Sequence, residues 1–246
     1  METKLNFKQH EGNGVLITFC GLDGSGKTTM INMLSERLKN SGLDIVLTKQ
    51  PTKAVRESKI FRTYMDEENH DGFDYMALAL LTAGDRVQHS NKYILPLLEE
   101  GKTVISDRYF YSCLANLRAS GYIHDNWIYE IARYIPKPDI SVFLDVDVET
   151  AISRVRKREA EQNKWIDVPL QYKLRNEYIN ICKSCGGVLI NSGYEEEITF
   201  DNVYKYIKPY IKAYKDQTSV HSQNAAAHPQ NAADINYTHN PMPQAI

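Results

Sequence analysis

The segment Gly21-Leu22-Asp23-Gly24-Ser25-Gly26-Lys27-Thr28 constrains this chain more than any other feature. It fits G-x-x-x-x-G-K-[ST] at every fixed position. An apolar run at 15–20 precedes it. A stretch at 28–39 follows, with Met30, Ile31, Met33, Leu34 and Leu38 at helical spacing. A strand, a glycine-rich turn and a helix in that order form an anion cradle. The glycines let successive backbone N–H groups face one concavity, and the helix N-terminus adds its positive dipole end. In such a loop the lysine reaches the β- and γ-phosphates of a nucleoside triphosphate and the threonine hydroxyl faces Mg2+. Gly21, Asp23, Gly24, Ser25, Gly26, Lys27, Thr28 and Thr29 are therefore the candidate ATP-binding residues. The loop alone does not separate kinases from GTPases and motor ATPases, but the sequence lacks the Asn-Lys-x-Asp segment with which GTPases read their base.

The rest of the chain predicts an α/β fold with a doubly wound parallel sheet. Further apolar runs at 43–48, 103–106, 140–145 and 187–190 are short and rich in Val, Ile, Leu or Phe, as in strands covered by helices on both faces. Helices are predicted over 74–88, 91–100, 125–134, 149–158 and 169–183. Their alternation with strands implies right-handed crossovers. Residues 1–13 read as an N-terminal extension, 14–215 as the folded domain and 216–246 as a disordered tail, because the tail has few large apolar groups to offset its ordering entropy. The net charge of −2 gives no general attraction to nucleic acid or to a membrane. No run approaches the roughly 20 apolar residues of a spanning helix, and residues 1–10 lack the apolar run of a signal peptide. A soluble, cytoplasmic protein acting on small-molecule nucleotides is expected. Cys182-Lys-Ser-Cys185 has the spacing of a metal or redox pair, but no second pair accompanies it, so two thiols near a helix end are expected.

The predicted strand at 103–106 ends in Asp107-Arg108-Tyr109. Strand C-termini face the ligand crevice of a doubly wound sheet. Asp107 is thus placed near Mg2+ or the attacking oxygen, and Arg108 near an anion. Asp85-Arg86 ends another helical stretch.

From the loop to about residue 207, these segments resemble thymidylate kinase, within the nucleoside monophosphate kinases, and they occur in the same order. The loop resembles Gly-x-Asp-Gly-x-Gly-Lys-Thr-Thr, and Leu47-Thr48-Lys49-Gln50-Pro51-Thr52 resembles the segment that usually reads Thr-Arg-Glu-Pro. LLTAGDRVQH at 80–89 resembles LLFAADRAQH, and VISDRYFYSCLA at 104–115 resembles VICDRYVDSSLA. PDISVFLDVDVETAISR at 138–154 resembles PDLTIYLDVDPEVALER, and Leu174-Arg175-x-x-Tyr178 resembles the helix after the lid.

The resemblance implies a P-loop fold with a five-stranded parallel sheet, a lid at about 155–167, and ATP- and Mg2+-dependent phosphorylation of thymidylate. It also implies a homodimer. It gives catalytic roles to Asp23, Lys27 and Asp107, and Mg2+ to Thr28 and Asp107. It gives the acceptor to Pro51, Thr82, Arg86, Arg108, Tyr109, Ser112 and Asn116. One subgroup of the family carries a catalytic arginine at the loop position that is Ser25 here. Arg154 and Arg158 of the lid, with Arg156 next, are therefore expected to supply that charge.

The base-reading positions depart from the family pattern. Thr82 stands where a Phe stacks on the thymine, Asn116 and Leu117 replace a Tyr and a Gln, and Gln50 replaces a Glu. Tyr109, Tyr111 and Phe73 are candidates for the missing ring. These departures keep open a kinase for another pyrimidine or modified monophosphate. The intact loop and Asp-Arg pairs weigh against a non-catalytic nucleotide-binding regulator. The paired arginines weigh against a nucleoside kinase, since they suit an acceptor that already carries a phosphate.

Overall fold

The computed structural model describes residues 5–70, 72–163 and 165–227, with side chains to residue 216. Five strands form one parallel sheet: β1 Val15–Cys20, β2 Ile45–Lys49, β3 Thr103–Asp107, β4 Ile140–Asp145 and β5 Val188–Asn191. Their spatial order is β2-β3-β1-β4-β5. The runs of Val, Ile, Leu and Phe are longest in the central strands, and β1 and β3 are buried along their whole length. The edge strands β2 and β5 keep half-exposed and exposed positions. The register aligns Phe19 and Lys49 with Asp107, so the carboxyl ends of β1, β2 and β3 finish at one level.

The helices are α1 Lys27–Lys39, α2 Lys53–Arg56, α3 Lys59–Asp66, α4 Tyr75–His89, α5 Leu95–Glu99, α6 Phe110–Ala119, α7 Trp127–Ala132, α8 Val148–Arg156, α9 Val168–Cys185 and α10 Glu196–Ala227. Several starts are capped as the sequence dictates. Asp74, Asp147 and Asp167 each accept a first-turn backbone N–H, of Met76, Thr150 and Leu170. Gly186 ends α9 in the left-handed region.

Three differences from the sequence expectation have physical causes. The helix predicted over 91–100 is a π turn, Ser90–Ile94, followed by the short α5. Pro96 lacks the N–H needed to continue one ladder. Helix α6 has no helical period to read, because Phe110, Tyr111, Ser112, Cys113, Leu114, Ala115, Leu117 and Ala119 are all buried. Helix α10 continues through residues 217–227, which the sequence assigned to a disordered tail. Extending an existing helix needs no new nucleus, so Gln- and Ala-rich sequence suffices there. The remainder of that tail lies outside the described residues. Contacts divide the chain into a unit up to Ile207, which holds the sheet, and a unit from Lys208, whose described part is the C-terminal portion of α10.

Candidate active site

After β1 the chain turns through Gly21, Gly24 and Gly26, with φ of 139°, 84° and 86°. Side chains with a Cβ are strained there. At Gly24 there is also no room: a Cβ would lie 2.1 Å from the carbonyl oxygen of Ala151 on α8. Gly26 precedes α1, so Lys27 and Thr28 open that helix with their N–H groups at the loop. Thr28 is exposed, Thr29 half-buried and Ser25 buried. Lys27 is also buried, and its Nζ donates to the carbonyls of Gly21 at 3.1 Å and Leu22 at 2.7 Å. Burial, reinforced by the Arg108 charge, lowers its pKa to about 8.

At the end of β3, Asp107 Oδ2 pairs with Lys49 Nζ at 3.1 Å. Its Oδ1 is buried and has no hydrogen-bond partner among the described residues. Arg108 follows with φ of 68°, the one positive value among described non-glycine residues. Its N–H donates to the Phe19 carbonyl at 2.8 Å. Its guanidinium donates to Asp23 Oδ1 at 2.6 Å, the Gly21 carbonyl at 3.3 Å and the Tyr178 hydroxyl at 2.8 Å. Tyr178 in turn donates to Ser112 Oγ at 3.1 Å. Burial opposes the Arg108 charge, but Tyr178, Asp23 and Asp107 outweigh it and hold the group above the ordinary arginine value. Three cations, Lys27, Lys49 and Arg108, thus meet two carboxylates, Asp23 and Asp107. The cluster carries one net positive charge, which suits a bound anion.

Helix α4 ties the neighbouring turns together. Asp85 accepts the Thr52 N–H at 2.8 Å and the Thr52 hydroxyl at 2.5 Å, which fixes the turn carrying Pro51. Arg86 is 3% exposed and donates to the carbonyls of Thr82 at 2.9 Å and Tyr109 at 3.3 Å. It therefore reaches the turn after Arg108 through a backbone group. Thr82 donates to the Ala79 carbonyl at 3.0 Å and lies 3.7 Å from Cys113 Sγ. Asn116 donates to the Ser112 carbonyl at 2.7 Å. Beside Asp23 opens a cavity of about 380 Å³, walled by Tyr64, Tyr75, Tyr122 and Trp165, with Asp167 and Lys173 also lining it.

Some expected residues lie elsewhere. Tyr109 is fully buried and its hydroxyl donates to the Pro136 carbonyl at 2.7 Å, so its ring belongs to the core and not to an acceptor site. Tyr111 is likewise a core ring, with its hydroxyl accepting from Ser141. Burying two aromatic rings outweighs exposing them at the crevice. Phe73 stacks on Tyr64 at 5.6 Å, behind the cavity wall. Just before the lid, Arg154 on α8 donates to the Ser192 carbonyl at 2.9 Å; within it, Arg156 donates to the Gln162 carbonyl and Arg158 pairs with Glu161 at 2.9 Å. Among the described residues, none of these contacts is with the phosphate loop. Helix α8 buries Val148, Ala151 and Val155, which leaves position 154 directed to the loop after β5 and puts 158 beyond the helix end.

Three contributors lie in segments that the sequence singled out, but without a role for them: Lys49, Arg175 and Tyr178. Lys49 could have been found by applying the strand-end rule to β2. Tyr178 and Arg175 share the Leu174-Arg175-x-x-Tyr178 spacing on α9, where Arg175 makes a bidentate pair with Asp145 at 2.7 and 2.9 Å.

The thymidylate kinase family model matches residues 19–203. The chain belongs to the thymidylate kinase family. It is 40% identical over 172 residues to a probable thymidylate kinase of Pyrococcus horikoshii, covering 69% of this chain and 83% of that relative. A probable thymidylate kinase of Thermococcus kodakarensis is 37% identical over 195 residues, 76% of this chain and 94% of the relative. The thymidylate kinase of Enterococcus faecalis is 35% identical over 177 residues, 69% and 83%.

The thymidylate kinase match begins inside β1 at Phe19, so residues 5–18 lie before it. Among the described residues, no helix is long and apolar enough to cross a membrane, and no group of three or more His, Cys, Asp or Glu could hold a metal. Cys182 and Cys185 are free thiols in the last turn of α9.

Proposed function

We propose that this enzyme transfers the γ-phosphoryl group of ATP to thymidylate, giving thymidine diphosphate and ADP. The observation that carries the reading is the contact between the two halves of the site. Arg108, from the turn after β3, donates to both Asp23 and Gly21 of the phosphate loop. A donor phosphate on the loop and an acceptor phosphate at Arg108 would then be neighbours, and phosphoryl transfer is largely positioning plus charge stabilisation.

In this reading the loop N–H groups and Lys27 hold the β- and γ-phosphates. Arg108 and Lys49 hold the acceptor phosphate, and the cavity beside Asp23 gives the acceptor room under the lid. Asp107 Oδ1, buried and unpartnered among the described residues, and the exposed Thr28 hydroxyl fit a hard cation with oxygen ligands. Mg2+ bound there would neutralise charge on the phosphoryl oxygens. The Arg158–Glu161 pair is solvent-exposed and therefore weak, so closure of the lid can redirect Arg158 to the transferring group. Leu80 and Leu81 on α4 are 48% and 39% exposed, a face suited to a second copy in a homodimer. The cytoplasm, where ATP and nucleoside monophosphates occur together, is the place for this reaction.

The test is a coupled ADP-release assay with thymidylate, deoxyuridylate, deoxycytidylate, uridylate and cytidylate. The expected result is the highest kcat/KM for thymidylate. Brisk turnover of a different monophosphate with none of thymidylate would overturn the acceptor. No acceptor-dependent ADP release with any of the five would overturn the transfer itself.

A further inference from the structure

The turn that aims Arg108 is strained, and its support comes partly from outside the matched family segment. A non-glycine residue at φ of 68° persists only where its surroundings over-determine it. On the sheet side, the Arg108 N–H is held by the Phe19 carbonyl. On the other side the chain is fixed by three consecutive rings, Tyr109, Phe110 and Tyr111, all 3% exposed or less.

Phe7 packs on all three rings. Its ring centroid lies 6.1 Å from Tyr109, 6.2 Å from Phe110 and 5.3 Å from Tyr111, edge-on to the last two. The next residue clips the anchor of the same turn. Tyr109 donates its hydroxyl to the Pro136 carbonyl. On either side of that proline, the Lys8 N–H donates to the Ile135 carbonyl at 2.9 Å and the Lys137 N–H donates to the Lys8 carbonyl at 2.7 Å. Two residues on, His10 pairs with Asp139 Oδ2 at 3.1 Å, and that oxygen also accepts the Leu16 N–H at the start of β1. The segment 7–10 therefore grips both the rings behind Arg108 and the strand that leads into the phosphate loop.

We propose that Phe7 is a positioning residue for Arg108, and that residues 7–10 act as a clip holding the Asp107-Arg108 turn in its productive conformation. Phe7 acts through Tyr109, Phe110 and Tyr111 and needs no contact with substrate. The proposal rests on the phosphoryl-transfer reading, and turnover of thymidylate by the wild-type chain checks that reading independently.

The test uses the full chain with Phe7→Ala, Phe7→Leu and, as a control cavity elsewhere in the core, Val203→Ala, a fully buried position on α10. Melting temperature, ATP affinity and steady-state kinetics are measured on each, with kinetics taken well below every melting point. Phe7→Ala should lower kcat about tenfold or more and raise KM for the acceptor, since a displacement on the order of 1 Å at a positioned group can cost about a hundredfold. ATP affinity should stay within about threefold, because the loop is intact, and Phe7→Leu should recover most of the turnover. Val203→Ala should lose melting temperature while keeping kcat within about twofold. A folded Phe7→Ala protein with kcat within about twofold of wild type would overturn the proposal. So would a Val203→Ala protein that lost turnover as steeply at the same melting temperature. If Phe7→Ala does not fold, Phe7→Leu and Phe7→Val carry the same test. Equal turnover in those two, close to wild type, would overturn it.

Discussion

Gly24 sits where the phosphate loop touches the helix that leads into the lid, and Gly24→Ala separates two effects. The first is the dihedral. Alanine at φ of 84° costs about 1–2 kcal/mol. The second is the contact. The new Cβ would lie 2.1 Å from the Ala151 carbonyl oxygen, against 3.4 Å for ordinary contact, so loop or helix must give by about 1.3 Å. Overpacking of that kind costs about 1–3 kcal/mol. The sum, about 2–5 kcal/mol, corresponds to a loss of roughly 4–20 °C in melting temperature for a chain of this size. Gly42→Ala is the control. It has the same φ of 84° and nothing within 4 Å, so it carries the dihedral cost alone. Calorimetry should therefore show Gly24→Ala as the more destabilised of the two by the contact cost. ATP turnover should separate them further. Movement of the loop on the order of 1 Å should lower kcat about a hundredfold in Gly24→Ala and leave Gly42→Ala near wild type. Equal melting temperatures for the two variants, with kcat of Gly24→Ala within about threefold of wild type, would refute the account of this contact.

Lys27→Ala should lower kcat by roughly 10²–10³ in a folded protein, because a preorganised charge at the transferring group is lost. Its pKa near 8, below the unfolded value of 10.5, also fixes a sign: between those values the unfolded chain holds more protons, so this group makes stability rise with pH, and melts of Lys27→Met should lack that rise. His10 shows the opposite sense. Its hydrogen bond with Asp139 raises its pKa, so its stabilisation is present below about pH 6.5 and lost as pH rises through the folded value. His10→Ala should accordingly melt lower than wild type in mild acid and match it at alkaline pH. Of the lid arginines, Arg158→Met should lower kcat more than it raises KM, whereas Arg154→Met should mainly lower melting temperature, because Arg154 holds the Ser192 carbonyl. Thr82→Phe should lower KM for thymidylate by about 5- to 150-fold if the base lies over α4, as read from steady-state kinetics.

The parts legible in the sequence were those whose cause is local. The loop is set by glycines at positive φ between a buried strand and a helix, and β1 and β4 begin and end where their apolar runs do. The acceptor half depended on facts no local pattern carries. Lys49 meets Asp107 through the register of two strands 58 residues apart in sequence. Tyr109 and Tyr111 follow the Asp-Arg pair directly, yet their direction was settled by the core behind them. Helix α6 hid because a helix buried nearly all round shows no period. The lid arginines were recognisable as a cluster, but which way each points depends on how α8 packs on the loop and on the chain after β5.

The Arg108–Asp23 contact has a thermodynamic consequence for ligand binding. The guanidinium already faces a carboxylate at 2.6 Å, so an incoming phosphate enters by exchange and its affinity is a difference between two anions. Asp23, 48% exposed on its side chain, is then released towards the cavity, where a hydrogen-bond donor on the nucleoside part of the ligand can engage it. Phosphate alone displaces Asp23 without giving it a new partner, and a nucleoside alone meets a carboxylate already engaged by Arg108. A whole nucleotide makes both contacts for a single breakage of the ion pair. Inorganic phosphate and a bare nucleoside should therefore bind this site cooperatively, and the intact monophosphate more tightly than their separate affinities imply.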